Sequence, residues 1–290
     1  MITETVLEMH YHKPLMDLIR DAFGLGEPGG LNFYKYSPQK EAFIGFDQAY
    51  VSTELSDDEF FKVLKRSAMD DGYQLDRIFV GIFLQFKVVK QMQSITKNTP
   101  SVITTRPHYR VSLDTTKNLK TGFAQHELLF ALNGNPGAFV HYACPMLFDK
   151  AKLYEVNVDM SDLRLADISS CPSDYRDNDN HFIFFSDTDS DPEWCSEPVT
   201  GTAVSPKQLV QKIVKYANEV EPRTAAVNLL KLIENIEIMP REDMKNLFGE
   251  SKTPSILPFV SDSLMIVSVP VVQNAKPNKS EMATPRKPSD

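Results

Sequence analysis

Apolar residues recur at helical spacing through Leu15, Leu18, Ile19 and Ala22, which predicts an amphipathic helix ending at Gly24–Leu25–Gly26. The breaker run Glu27–Pro28–Gly29–Gly30 follows. Two starts fit this helix: Thr3 as the cap of a long helix containing Pro14, or Pro14 in the first turn of a shorter one. Three strand-like stretches come next. Leu31–Tyr36 is rich in aromatics, and residues 42–51 (AFIGFDQAYV) combine aromatic and β-branched side chains around one acid. Residues 78–89 (IFVGIFLQFKVV) are the most apolar run and read as a strand buried on both faces. Between the second and third stretches, Ser56–Asp57–Asp58–Glu59 is a capping box opening a helix that reaches about Met69.

A polar loop is expected after the third strand, then a helix over residues 123–132 (FAQHELLFAL), ended by Asn133–Gly134–Asn135–Pro136–Gly137. Residues 138–147 (AFVHYACPML) read as another buried strand. Farther on, His181–Phe185 is strand-like within an acidic stretch, and Ser205–Pro206 with Gln208 caps a helix carrying Leu209, Val210, Ile213, Val214 and Ala217. A second helix is expected from about Ala225 to Ile236. The order of elements predicts an α/β chain built on a central mixed sheet flanked by helices. Residues 1–148 read as its core, 149–272 as a C-terminal α+β elaboration, and 273–290 as a polar, Pro-rich, disordered tail.

Composition narrows the class. Apolar residues are 42% and charged residues 24% of the 290, which excludes collagen-like, coiled-coil and wholly disordered chains. No window approaches the roughly 18 consecutive apolar residues of a membrane span. The N-terminus lacks the basic and apolar regions of a signal peptide. Cys144, Cys171 and Cys195 are too few and too dispersed for a disulfide framework or a CxxC zinc site, so a reducing cytoplasm is the expected compartment. A net charge of −8 argues against a free-standing, non-specific nucleic-acid binder, because phosphate neutralisation supplies most of such affinity. A local basic groove, a metal ion or a basic partner would lift that objection.

The informative residues are Asp47 on the second strand and Gln85–Phe86–Lys87 on the third. Strand residues two apart share a face, so Gln85 and Lys87 project together. If the two strands are neighbours, Asp47 joins them. A carboxylate and an amide oxygen can hold a hard cation such as Mg²⁺. A lysine beside them can orient water or stabilise charge developing on phosphate. A plain Asp47–Lys87 ion pair would satisfy the same residues without any chemistry.

Helix, three strands with an acid on the second and QxK on the third, helix, strand: this order resembles the PD-(D/E)XK nuclease superfamily, the restriction-endonuclease-like fold. The resemblance covers residues 3–148. It implies that Asp47 and Gln85 bind Mg²⁺ (or Mn²⁺) and that Lys87 assists the attacking water. Gln85 departs from the usual acid, as in Mrr-type restriction enzymes, and the inserted helix lengthens the spacing from Asp47. The resemblance also implies a first-helix glutamate at the metal, either Glu8 or Glu4, and an auxiliary polar residue on the following helix, Gln125 or His126. The stretches FIGFDQAYV, FLQFKVVK, FAQHELLFAL, VHYACPMLFD and WCSEPV resemble a bacterial family, with a restriction or antiviral defence role as the implied setting. The expected partners are DNA and a second subunit or copy of the chain.

Other residues compete for roles. Glu41 shares strand parity with Asp47, but at roughly 3.3 Å per residue it stands about 20 Å away. Tyr109 and Arg110, with His108, precede the helix and are candidates for phosphate contact, against a solvated-loop alternative. Asp187–Asp191 starts like a calcium loop but has Pro192 and Pro198 where Gly and Glu are needed, and reads as an acidic turn. Trp194 reads as a core anchor rather than the neighbour of a nucleophilic Cys195. The competing function class is a catalytically silent interaction module on the same scaffold.

Overall fold

The computed structural model describes residues 2–24, 65–66, 68–70, 73, 77–97, 99–117, 124–154, 158–177, 179–195, 198–238 and 265–270. The stretches at 31–36 and 42–51 (with Glu41 and Asp47), the capping box at 56–59 and the tail at 273–290 lie outside the described residues.

Helix α1 spans Glu4–Ala22 with Thr3 as its cap, the Thr3 hydroxyl accepting from the Val6 N–H at 3.4 Å, and Pro14 inside it. The longer of the two alternatives therefore holds. Its apolar stripe, Leu7, Tyr11, Leu15, Met16 and Ile19, is buried. The strands that follow are β1 (Arg77–Phe86), β2 (Lys90–Met92) and β3 (His108–Ser112). Helix α2 (Gln125–Leu132) leads into β4 (Ala138–Pro145), and β5 (Leu163–Asp167) returns beside it. Then come β6 (Phe182–Phe185), β7 (Glu193–Cys195), β8 (Val199–Thr200) and β9 (Ala203–Val204). The last elements are α3 (Pro206–Glu219), α4 (Pro222–Ile238) and β10 (Met265–Pro270). The capping box of α3 is complete, with Ser205 and Gln208 each accepting from the other's backbone N–H.

Two sheets result, of order β10-β1-β4-β5-β9 and β2-β3-β6-β7-β8. In the first, β1 and β4 run parallel, from Gly81 opposite Ala138 to Phe86 opposite Ala143. A parallel pair needs a crossover, which α2 supplies. The turn into β4 needs its glycine: Gly137 has φ +82°, and a Cβ there would lie 2.6 Å from the Tyr216 hydroxyl oxygen.

Strand parity divides the core. Ile78, Val80, Ile82, Leu84 and Phe86 face α1 and α3, packing with Tyr11, Leu15, Leu209 and Ile213. Phe83, on the other face, packs with Leu129, Leu132 and Leu229 of α2 and α4 and with Val111, Ile183 and Trp194 of the second sheet. The molecule is thus mixed α/β, with two sheets and four helices among the described residues.

The second sheet corrects the expectation of a polar loop before α2. Residues 108–112 form β3, paired to β6 from Tyr109 opposite Phe185 to Ser112 opposite Phe182. His108, read as solvent-facing, is fully buried and stacked on Phe184 with ring centroids 6.1 Å apart.

Candidate active site

Lys87 comes directly after β1. Its backbone N–H donates to Ala143 O at 2.9 Å, which keeps it in step with β4 past the strand's end. Gln85 is fully buried and its Nε2 donates to Phe86 O at 3.3 Å; Lys87 is 6% exposed. Lysine so deep in protein is costly unless its ammonium is paired.

The partners come from two helices. Lys87 Nζ donates to Gln125 Oε1 at 2.7 Å and stands 3.5 Å from Glu4 Oε1. Gln125 is the first residue of α2, whose cap Ala124 makes no side-chain hydrogen bond; the next N–H, of His126, donates instead to Asp114 O at 3.0 Å. That docks the helix start on the loop and leaves the Gln125 side chain to meet the lysine. Glu4 sits in the first turn of α1, where a carboxylate suits the helix dipole. Glu8, one turn on, shares that face and is 2% exposed. Exposure rises across the ion pair, from 7% of the Lys87 side chain to 39% of Glu4. Glu4 also lines an open groove of ≈ 790 Å³. The cluster therefore lies at the C-terminal end of a parallel strand pair and reaches solvent on one side.

The structure separates the two auxiliary candidates. His126 is fully buried: its Nδ1 lies 2.9 Å from the Tyr142 hydroxyl and its Nε2 3.0 Å from Ser173 O. A carbonyl oxygen only accepts, so Nε2 carries the proton and Nδ1 accepts from tyrosine. Burial lowers the His126 pKa to about 4, leaving the ring neutral at pH 7. Tyr142 and Tyr175 stack on the imidazole at 5.9 and 5.0 Å. Trp194 is fully buried beside it, its indole N–H donating to Ser170 Oγ at 3.2 Å. The thiols are not nucleophiles: burial pushes Cys171 and Cys195 to about 11 and Cys144 to about 12, so all three stay protonated.

Tyr109 is 8% exposed and stacks on Phe148 at 4.9 Å, while the Arg110 guanidinium lies 4.9 Å over the Phe182 ring. The stretch at 187–191 is a turn, Asp187 accepting from the Asp189 N–H at 2.8 Å. Sequence reasoning passed over a further buried histidine. His141 on β4 lies 3.8 Å from Asp167, whose carboxylate also accepts from Lys212 at 3.2 Å. It also passed over Phe148 and Lys90, which line the groove with Glu4. The available signal was their position, each within a few residues of a strand end beside Lys87.

The gathered donors are carboxylate and amide oxygens, the chemistry of a hard cation rather than a soft one. No group of three or more His, Cys, Asp or Glu that could hold a metal occurs among the described residues. A cation here would need a further carboxylate, and Asp47 is the sequence's candidate. Comparison with protein-family models, curated proteins and solved structures finds no match for this chain.

Proposed function

We propose that this chain is a Mg²⁺-dependent endonuclease hydrolysing DNA phosphodiester bonds on a restriction-endonuclease-like core. The observation that carries the reading is the meeting of Glu4, Lys87 and Gln125. The resemblance offers Glu4, beside Glu8, as the first-helix glutamate, Lys87 as the motif lysine and Gln125, beside His126, as the auxiliary helix residue, and the three come from elements far apart in the chain. The parallel β1–β4 pairing with α2 as crossover also agrees with that core.

Asp47, Gln85 and Glu8, with Glu4 as the alternative glutamate, would hold the cation, which supplies charge neutralisation at phosphate and activates water. Lys87 stabilises negative charge as water attacks phosphorus and the leaving oxygen departs. Gln125 holds the ammonium in place with a neutral acceptor, so the lysine's charge is not cancelled there. With a net charge of −8, affinity for DNA would come from a partner subunit or a second copy of the chain. The implied setting is a restriction or antiviral defence system in the cytoplasm; no described helix is long and apolar enough to cross a membrane.

One observation favours a second reading, a catalytically silent scaffold subunit: Gln85 is fully covered and Lys87 nearly so. Incubating the full chain with supercoiled plasmid and Mg²⁺ or Mn²⁺ decides between them. The nuclease reading expects nicking that Asp47→Asn abolishes. Equal nicking by wild type and Asp47→Asn, or none under either metal, supports the silent scaffold.

A further inference from the structure

Lys87 has two partners of unequal hold. Gln125 Oε1 accepts from its Nζ at 2.7 Å, whereas Glu4 Oε1 stands at 3.5 Å. A charge-assisted hydrogen bond runs about 2.7–2.9 Å, so the carboxylate neighbours the ammonium without closing on it. Its own element holds it loosely too. Glu4 is the first residue of α1, its side chain is 39% exposed, and the cap bond from the Val6 N–H to the Thr3 hydroxyl is long, 3.4 Å. The end turn of a helix is where local opening costs least, and an exposed ion pair adds little.

Position gives this loosely held carboxylate an effect. Glu4 lines the groove of ≈ 790 Å³, and the Lys87 side chain, 7% exposed, stands behind it. An anion entering from the groove meets Glu4 before it meets the ammonium. Lys87 has N–H donors beyond the one given to Gln125, but a phosphate oxygen taking one of them would sit against the Glu4 carboxylate. Two anions at contact distance repel, so one of them leaves. Gln125 is neutral, raises no such conflict, and keeps the ammonium in place.

We infer that Glu4 is an autoinhibitory carboxylate: in the resting chain it holds the place beside Lys87 that a phosphodiester oxygen takes during reaction, and it must be displaced before Lys87 acts. This rests on the nuclease reading, which supplies the anion. It leaves Glu8, one turn on and 2% exposed, as the first-helix glutamate for the cation.

The test is fluorescence anisotropy of the full chain with a labelled DNA duplex, at low salt and without divalent cation, so that binding is read apart from cleavage. Glu4→Gln keeps the size of the side chain and removes its charge. It should bind DNA at least about five-fold more tightly than wild type, the scale of one repulsion between unit charges in contact. In a Lys87→Ala background the same change should have little effect, because no ammonium remains to compete for. Glu219→Gln, an equal loss of charge at an exposed site on α3, should leave affinity unchanged. With plasmid and Mg²⁺, Glu4→Gln should lower KM and leave kcat unchanged. Equal tightening with and without Lys87, equal tightening by Glu219→Gln, or no tightening at all overturns the inference. If the tightening depends on Lys87 but no metal supports cleavage, the autoinhibitory contact stands and the nuclease reading fails. If wild type nicks plasmid and Glu4→Gln abolishes nicking, the nuclease reading stands and the autoinhibitory contact fails.

Discussion

Gln125 and His126 are neighbours in the first turn of α2, yet they enter polar clusters of different kinds. His126 is closed in by Tyr142, Tyr175 and Trp194, and both ring nitrogens have fixed neutral partners. Gln125 holds a lysine ammonium whose other neighbour, Glu4, is 39% exposed and faces a groove. A buried polar group saturated by neutral partners stabilises the fold and has nothing left to offer a ligand. A charged group held by a partner that reaches solvent can exchange that partner for substrate. On the proposed nuclease reading the first cluster serves folding and the second chemistry, and perturbing each should move a different observable.

The largest effect on stability is expected at the closed cluster. Trp194→Ala removes a fully buried indole and should cost ~3–5 kcal/mol in urea unfolding. Cleavage per folded molecule should be unchanged. A selective loss of cleavage would erase the distinction between the clusters.

Acid should act next, through the same cluster and through His141. Burial lowers both pKa values from 6.5 to about 4. Between those values the unfolded chain binds more protons than the folded one, so stability is present above pH 6.5 and is lost as pH falls toward 4. Each histidine contributes a slope of up to about 1.4 kcal/mol per pH unit in that window. Thermal melts of His126→Phe should show a shallower acid dependence. An unchanged slope would mean that the ring does not titrate on unfolding as described.

The smallest stability change is expected at the open cluster. Gln125→Ala leaves Lys87 beside Glu4 and should cost about 1–3 kcal/mol, the scale of one hydrogen bond to a buried charged group. Cleavage should nevertheless fall roughly 10–100-fold, as when an outer residue positioning a site is removed. A stability loss without a rate effect would move Gln125 to the folding class.

Much of this was legible in the sequence, and the exceptions have physical causes. Thr3, the Ser205–Gln208 box and the Asn133–Gly137 breaker mark their element ends because capping and positive φ are local requirements. The buried strand at residues 78–89 was legible from its apolar run, but its end was not. The regular ladder ends at Phe86, closed by the Lys87 N–H bond to Ala143 O, a partner some fifty residues on. The second sheet was missed because β2, β7 and β8 have two or three residues each, too few to display a period. Gln125 and His126 were equally plausible auxiliaries, since which of two adjacent helical residues meets a strand depends on how the helix docks. Glu4 and Glu8 stood open for the same reason, and it is Glu4 that the structure places 3.5 Å from Lys87.

The central claim is that Lys87 is kept for chemistry and not as a structural ion pair. Lys87→Ala, assayed for plasmid nicking with Mn²⁺ and melted by circular dichroism in parallel, tests it most directly. Its carboxylate partner, Glu4, reaches water, so the substitution strands no buried charge at that contact and should spare the ~3–5 kcal/mol typical of a broken buried pair. The account predicts a melting temperature within a few degrees of wild type and nicking reduced by about 10²–10³-fold. Wild-type nicking by Lys87→Ala, or a variant that loses its fold instead, would contradict it.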